Sequence, residues 1–187
     1  MKNKRKTLIV LISSLVLVVL IPIGYRFVFY PLSLFLSPSK AITEFHTREC
    51  AEDQIMHPLI ISGKKVIPLL RKEIKNKKMD KRGYAILAIG KIGGKNDLNF
   101  LKEILFDESE EYSIRYNALL AIFLIDIEYS KKLAESFIDE DIKEIPKLSK
   151  NILEFDKESD KMSMLKSLLD LKRQMTLWNA IIDKRYY

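Results

Sequence analysis

The chain has 187 residues, which is enough for one domain with a hydrophobic core but too few for two large domains. Hydrophobic residues make up 48% and charged residues 30% of it, a composition that favours a folded chain over a disordered one. The only cysteine is Cys50, so an intramolecular disulfide and a cysteine-rich zinc site are both excluded.

The net charge of +7 is concentrated at the N-terminus, where residues 1–39 carry five basic residues and no acidic one. The remainder holds 27 basic and 25 acidic residues. The excess therefore indicates membrane topology rather than a DNA-binding face, and we expect no nucleic-acid partner.

An uncharged, mostly apolar segment, Thr7–Gly24, follows the basic residues 1–6. Because a helix needs about 20 such residues to cross a bilayer, the segment predicts a transmembrane anchor. The basic flank predicts a cytoplasmic N-terminus and a C-terminal domain outside the cytoplasm. A cleaved signal peptide and a buried soluble helix are the alternatives. The nearest small-x-small pattern, Ser37-Pro38-Ser39, lies well beyond the apolar segment and argues against cleavage.

The next segment, residues 25–39, is aromatic and apolar but is too short for a second span and is interrupted by Pro31. Two placements remain open for it: along the membrane surface, or packed on the folded domain. We interpret it as a juxtamembrane linker that ends at Pro38 and Ser39.

Two internal patterns repeat along the middle of the chain. The pattern R-x-x-A-x-L-A-I-x-x-I runs from Arg82 to Ile92 and again, 33 residues later, from Arg115 to Ile125. A second similarity relates residues 61–70 to residues 92–101, and a fainter echo of the first pattern begins at Arg48. Repeats of this length are typical of proteins built from stacked helix pairs.

The apolar residues within each unit have helical spacing. Ala85, Ala88 and Ile92 fall on one stripe of a helix, and the glycine that follows at position 93 ends it. The alanines let paired helices approach closely, and neither helix hides its stripe without a neighbouring unit. The residues predicted to shape the repeat are Arg82, Ala85, Ala88, Gly93, Arg115, Ala118 and Ala121.

The unit resembles a HEAT repeat, particularly the short HEAT-like form found in phycobilisome lyases. That family has R-x-x-A-x-x-A-L-G-x-[IL]-G on one helix and a V-P-x-L core on the next. Residues 82–93 match the first motif nearly completely, and Ile67-Pro68-Leu69-Leu70 supplies the second. The resemblance covers roughly residues 48–142 and implies a short α-solenoid of antiparallel helix pairs. It also implies that Arg82 and Arg115 would brace adjacent units through an acid or a turn carbonyl, with Asp80 and Glu110 as nearby candidates.

The chain departs from the repeat after Ile145. Pro146 opens a predicted helix through Phe155, and Ser159–Asp183 predicts a longer amphipathic helix that caps the stack. The end of the chain, with Trp178 and two tyrosines, is alternatively a recognition element. The predicted fold is all-α, with a basic cytoplasmic tail (1–6), a transmembrane anchor (7–24), a juxtamembrane linker (25–39), HEAT-like helical repeats (40–145) and C-terminal capping helices (146–187).

No residue pattern points to catalysis. His46 and Cys50 have metal-ligand spacing, but two ligands do not make a site and His57 is the only other imidazole. The sequence contains no recognisable nucleophile motif and no glycine-rich phosphate loop. We therefore expect no enzymatic activity, no cofactor and no small-molecule substrate.

A dense run of basic residues lies just before the first copy of the arginine pattern. It is either a solvated loop that aids solubility or a contact site for anionic lipid or an acidic protein. The candidate contact residues are Arg71, Lys72, Lys75, Lys77, Lys78 and Lys81.

Together these features predict a protein-protein interaction module at the outer face of a bacterial cytoplasmic membrane, because HEAT-like stacks bind partners on a curved surface. The expected partners are the membrane and an unidentified protein. An immunity-type inhibitor of a toxin is the first alternative, and a lyase-like or assembly enzyme is the second.

Overall fold

The computed structural model describes residues 24–49, 52–140, 144–156 and 164–174, together with Ile21. Every regular element in these ranges is helical, so the prediction of an all-α fold is confirmed for this part of the chain. None of these helices is long and apolar enough to cross a membrane. The predicted anchor and the basic tail before it lie outside the described residues, apart from Ile21 and Gly24.

The α-helices of the described ranges follow one another with short connections. They are α1 (Tyr30–Leu36), α2 (Pro38–Thr47), α3 (Glu52–Ile55), α4 (His57–Ser62), α5 (Ile67–Ile74), α6 (Arg82–Ile92), α7 (Leu98–Phe106), α8 (Tyr112–Ile125), α9 (Ile127–Ala134), α10 (Glu144–Leu153) and α11 (Met164–Gln174). A π-helical turn, Tyr25–Phe29, leads into α1, and short 3-10 helices lie at Gly63–Val66, Lys95–Asp97 and Glu135–Phe137.

Local side chains explain where several helices begin. The Ser37 hydroxyl accepts a hydrogen bond from the backbone N–H of Lys40 at 3.4 Å and caps the start of α2. The Asp126 carboxylate accepts one from the N–H of Tyr129 at 3.0 Å and does the same for α9. Between α4 and the 3-10 turn that follows, Gly63 has a φ of 64°, a conformation that favours glycine.

The helices α6 and α8 pack against each other and form the centre of the described domain. On one side α4 and α5 pack against α6, and on the other α7, α9, α10 and α11 pack against α8. The N-terminal helices α1 and α2 pack against α4. Apolar side chains from all of these elements form a single core, whose largest fully buried members include Phe45, Leu70, Ile89, Leu105 and Phe123.

The helices α6 and α8 approach each other closely at Gly90. A Cβ atom at this position would lie 2.7 Å from the Cα atom and 2.9 Å from the Cβ atom of Ala121. Both helices therefore need a small residue here for their backbones to approach this closely. The other alanines of the repeated pattern, Ala85, Ala88 and Ala118, are fully buried.

The segment that the sequence suggested as a juxtamembrane linker is helical and belongs to the domain. Leu34 of α1 is fully buried in the core. The Tyr30 hydroxyl donates to Glu44 Oε2 at 3.2 Å and accepts from Arg48 Nη2 at 2.6 Å, which joins α1 to α2. The packed domain thus begins before residue 40, because the apolar spacing of α1 is used for packing.

The C-terminal helices are described in part. The helix predicted around Pro146 is described from Glu144 to Leu153, and Phe155 beyond its end packs edge-on against Phe123 with ring centroids 5.1 Å apart. The helix α11 covers the middle of the predicted amphipathic helix. Residues 175–187, including Trp178 and the final tyrosines, lie outside the described residues.

Candidate protein-binding site

A buried arginine at the start of α6 contacts both the preceding helix α5 and the loop before α8. Arg82, the first residue of α6, donates from Nε to the carbonyl oxygen of Ile74 in α5 at 2.6 Å. Its two terminal nitrogens bind both carboxylate oxygens of Glu110, with Nη2 to Oε1 at 2.7 Å. Because α5, α6 and the loop before α8 meet at this one guanidinium, we call this set of contacts the Arg82 brace.

The second copy of the pattern places its arginine in the same way. Arg115 donates from Nε to the carbonyl oxygen of Leu105 in α7 at 2.9 Å, and its Nη2 atom binds Glu140 in the loop after α9. We call this set the Arg115 brace. Of the two acids suggested from the sequence, Asp80 and Glu110, it is Glu110 that contacts Arg82. Glu140, the partner of Arg115, was not suggested. Its separation from its arginine is 25 residues rather than 28, so no fixed offset reveals it.

The carboxylates around the Arg82 brace are held ionised. The hydrogen bond from Arg82, and then that from Lys77, lowers the pKa of Glu110 below its usual value of 4.5. Lys77 Nζ also binds Asp107 Oδ2 at 2.8 Å, and this bond, aided by Ser109, lowers the pKa of Asp107 to about 2. The loop before α8 is therefore tied to the loop before α6 by a network of charges.

A cleft of about 640 Å³ opens beside the Arg82 brace, between the amino-terminal halves of α6 and α8. Leu87 and Ile114 supply half-buried apolar surface to it. Around them the exposed side chains of Lys78, Asp80 and Glu111 supply charge. The cleft thus combines half-buried apolar surface with polar and charged side chains, which include Arg82, Glu110 and Asn117.

The width of the cleft depends on a glycine. A Cβ atom at Gly83 would lie 2.5 Å from Nδ2 of Asn117, the end of the amide side chain that faces it from α8. With no side chain at this position, the first turn of α6 leaves space that Asn117 and Ser113 line from the other side. The pair lies 34 positions apart, so the sequence pattern alone does not reveal the cleft.

A lysine of α11 contacts the carboxyl-terminal ends of the same two helices. Lys172 of α11 donates from Nζ to the carbonyl oxygens of Gly90 at 2.8 Å and Leu124 at 2.6 Å. A cation is favourable at these helix ends because their carbonyls carry partial negative charge. Burial, and then the positive charge of Lys64, lowers the pKa of Lys172 from 10.5 to about 8. Lys172 thus covers these two carbonyls, whereas Leu124 and Ile125 at the end of α8 also line a second cleft of about 670 Å³.

Three members of the predicted basic run hold neighbouring segments together. Lys77 belongs to the network described above. Arg71 Nη2 binds Asp97 Oδ1 at 2.6 Å. Lys81 Nζ donates to three backbone carbonyls at the end of α2 and just after it, those of Phe45, His46 and Arg48, at 3.0, 2.9 and 2.7 Å.

The other three members are exposed. Lys72 lies on α5, and Lys75 and Lys78 lie in the turn after it, where Lys78 also lines the cleft. Half of the cations in the run therefore also bind acids or carbonyls of the domain, and the other half do not within the part of the chain that the structure describes.

The residues with metal-ligand spacing do not form a site in the described ranges. His46 Nε2 lies 3.7 Å from Glu73 Oε2 on the surface, while His57 is fully buried in α4 and Cys50 lies outside the described residues. Within the part of the chain that the structure describes, no three histidine, cysteine or acidic side chains are grouped to hold a metal ion.

Comparison with protein-family models, curated proteins and solved structures finds no match to this chain. The chemistry of the cleft is therefore interpreted from its own residues. Half-buried apolar side chains next to exposed charges are typical of surfaces that bind an apolar anchor of another protein within a polar rim.

Proposed function

We propose that this chain is a membrane-anchored protein of HEAT-like helical repeats that binds a protein partner in the cleft between α6 and α8. The cleft is the observation that carries the proposal, because it combines half-buried apolar surface, charged side chains and a volume of about 640 Å³. The proposed role is recognition and not catalysis.

The contacts between helices support the repeat architecture. The helices α4, α6, α8 and α10 pack in succession, while α5, α7 and α9 pack beside them. The Arg82 brace and the Arg115 brace occur at equivalent positions of two successive units. These features fit a short α-solenoid, in which one layer of helices offers a continuous surface to a partner.

The lining of the cleft favours a peptide or protein ligand. One large apolar side chain that became buried against Leu87 and Ile114 would contribute about 1.5–3 kcal/mol to binding. The exposed charges of Lys78, Asp80 and Glu111 would then select partners whose own charges are complementary. We expect a partner segment with one apolar anchor flanked by polar or charged residues.

The membrane part of the proposal depends on residues 1–24. The uncharged segment Thr7–Gly24 after a basic tail favours a domain outside the cytoplasm. A reporter enzyme that is active only outside the cytoplasm should be active when fused after Tyr187, and the full chain should resist extraction by carbonate. Deleting residues 1–20 should make the domain extractable by carbonate, and this deletion keeps α1, whose Leu34 is part of the core. A full chain found wholly in the soluble fraction would contradict the anchor.

Two tryptophan substitutions test the cleft. Ser113 lines the cleft, so Ser113→Trp fills it, whereas Asn99 is exposed on α7 outside the cleft and Asn99→Trp is the matched control. Proteins from native membranes that co-purify with the wild type and with Asn99→Trp should be lost with Ser113→Trp. Equal melting temperatures for the two variants are required, so that loss of binding is not loss of folding. Recovery of the same proteins with all three chains would contradict the proposed site.

A further inference from the structure

Exposed apolar side chains form a stripe on the N-terminal helical segment. The exposed fractions of these side chains lie between 45% and 65%. They recur at intervals of three or four residues, apart from one adjacent pair, and so lie along one face of a helix. We call this face the apolar stripe; it comprises Ile21, Tyr25, Val28, Phe29, Leu32 and Leu36.

The part of the domain that the structure describes does not cover the apolar stripe, because it packs against the opposite face of the same segment. Pro31 and Leu34 are buried against the domain, and α1 packs against α2 and α4. The hydrogen bonds that the Tyr30 hydroxyl makes with Glu44 and Arg48 fix the rotation of α1. The stripe is therefore held outward in one orientation.

Positive charges flank the apolar stripe. Lys40 Nζ donates to Ser33 Oγ at 2.8 Å, and Lys65 Nζ lies 3.9 Å from the centre of the Phe35 ring. Residues 1–43 contain no acidic side chain, and the first is Glu44. An apolar helical face with cations beside it is the arrangement that binds the interface of an anionic membrane.

The position of the apolar stripe in the chain favours lipid as the surface that contacts it. The stripe begins at Ile21, inside the uncharged segment Thr7–Gly24, and the sequence from Ile21 to Leu36 contains one charged residue, Arg26. A chain that leaves the bilayer at the end of this segment places the following turns of helix at the headgroup layer.

We propose that the apolar stripe lies in the interfacial layer of the membrane, with Lys40 and Lys65 at anionic lipid headgroups. This proposal rests on the anchor proposed above. It makes α1 both a part of the domain core and a membrane contact. The domain is thereby docked on the bilayer in one orientation rather than suspended from a linker.

The test uses the full chain in vesicles that contain anionic phosphatidylglycerol. Cys50→Ser removes the only native thiol, and single cysteines at Leu32→Cys, Leu36→Cys or Asn99→Cys then carry a polarity-sensitive fluorophore. Asn99 is the matched control, because it is exposed on α7, away from α1. Lipids brominated near the headgroup should quench the two stripe positions at least threefold more than Asn99. Iodide in the buffer should show the opposite order.

Three outcomes would overturn the proposal, and each is recognised separately. If carbonate removes the chain from the vesicles, the proposed transmembrane anchor is contradicted, and the docked stripe with it. A chain that stays bound, but whose stripe positions are quenched by iodide as strongly as Asn99, would keep the anchor and lose the docked stripe. Emission shifted to the blue without quenching by brominated lipid would mean that a second copy of the chain covers the stripe.

The charges are tested in the same vesicles. Lys40→Gln combined with Lys65→Gln should lower lipid quenching at Leu36→Cys at least twofold in anionic vesicles and change it little in neutral ones. Thr43→Gln, an uncharged substitution at an exposed position of α2, serves as the control. Unchanged quenching in anionic vesicles would overturn the role of the two lysines.

Discussion

The Arg82 brace and the Arg115 brace have the same backbone contact but differ in how completely their charges are enclosed. Glu110, the partner of Arg82, has a side chain that is 5% exposed and uses both oxygens. Glu140, the partner of Arg115, is 25% exposed and makes one such contact. A third charge, Lys77, supports only the first brace.

This difference shows that the repeated element is the arginine and the carbonyl that it binds, while the acid varies. The carbonyl oxygens of Ile74 and Leu105 are equivalent in the two units. The acids lie 28 and 25 residues after their arginines, and the first is the more buried of the two. We therefore expect the two braces to differ in energy although their arginines are placed alike.

The largest effect is expected from the substitution Glu110→Ala. It leaves the buried charge of Arg82 without its carboxylate, and removing one partner of a buried ion pair costs about 3–5 kcal/mol. Denaturant unfolding of the full chain in detergent measures this free energy. Glu111→Ala is the control, since Glu111 is exposed one position away and should change stability by less than about 0.5 kcal/mol. Equal effects of the two substitutions would contradict the Arg82 brace.

Glu140→Ala should have a smaller effect than Glu110→Ala. Solvent reaches Glu140 and only one hydrogen bond to a charged group is lost, so we expect a cost of about 1.5–3 kcal/mol. The same unfolding experiment measures it. A cost equal to or above that of Glu110→Ala would mean that enclosure of the acid does not determine the strength of the brace.

A pair of glycine substitutions separates packing of α6 on α8 from the braces. Gly90→Ala places a methyl group against the backbone of Ala121, so it should destabilise the fold by about 1–3 kcal/mol. At Gly83→Ala the only contact shorter than 3 Å is with the amide end of the Asn117 side chain, which can rotate away, so stability should stay within about 0.5 kcal/mol of the wild type. Thermal unfolding compares them. The reverse order would contradict a close contact of the two helices at Gly90.

Acid should weaken the Arg82 brace as Glu110 becomes protonated. Because the pKa of Glu110 is lowered in the folded chain, its contribution to stability is present above the unfolded value of 4.5 and is lost as pH falls through the folded value. The variant Glu110→Gln should therefore lose less stability than the wild type as the pH is lowered from 5, as measured by unfolding at each pH. An unchanged pH dependence would mean that Glu110 is not ionised beside Arg82.

The sequence predicted the helices well where their apolar spacing is regular. The helix from Arg82 to Ile92 has the predicted limits, because its small residues and its terminal glycine act locally. The position of α1 was left open, because whether an apolar segment beside a membrane anchor packs on the domain depends on tertiary contacts such as that of Leu34.

The candidate site was less accessible to sequence reasoning. Lys77 counts as one more cation in a basic run until the fold brings it to Asp107, 30 residues away. The distribution of charge along the sequence does not reveal which cations form ion pairs with acids that are distant in sequence. The cleft likewise arises because Gly83 and Asn117 face each other from separate helices, and no local sequence pattern predicts this.

Photo-cross-linking from the cleft tests most directly the central claim that a protein partner binds between α6 and α8. A photoreactive benzoylphenylalanine replaces Ser113 in the cleft or, as the control, Asn99 on α7, and the chain is irradiated in its native membrane. We predict a covalent adduct with one other protein from position 113 and none from position 99. No adduct from position 113, or the same adduct in equal yield from both positions, would contradict the claim.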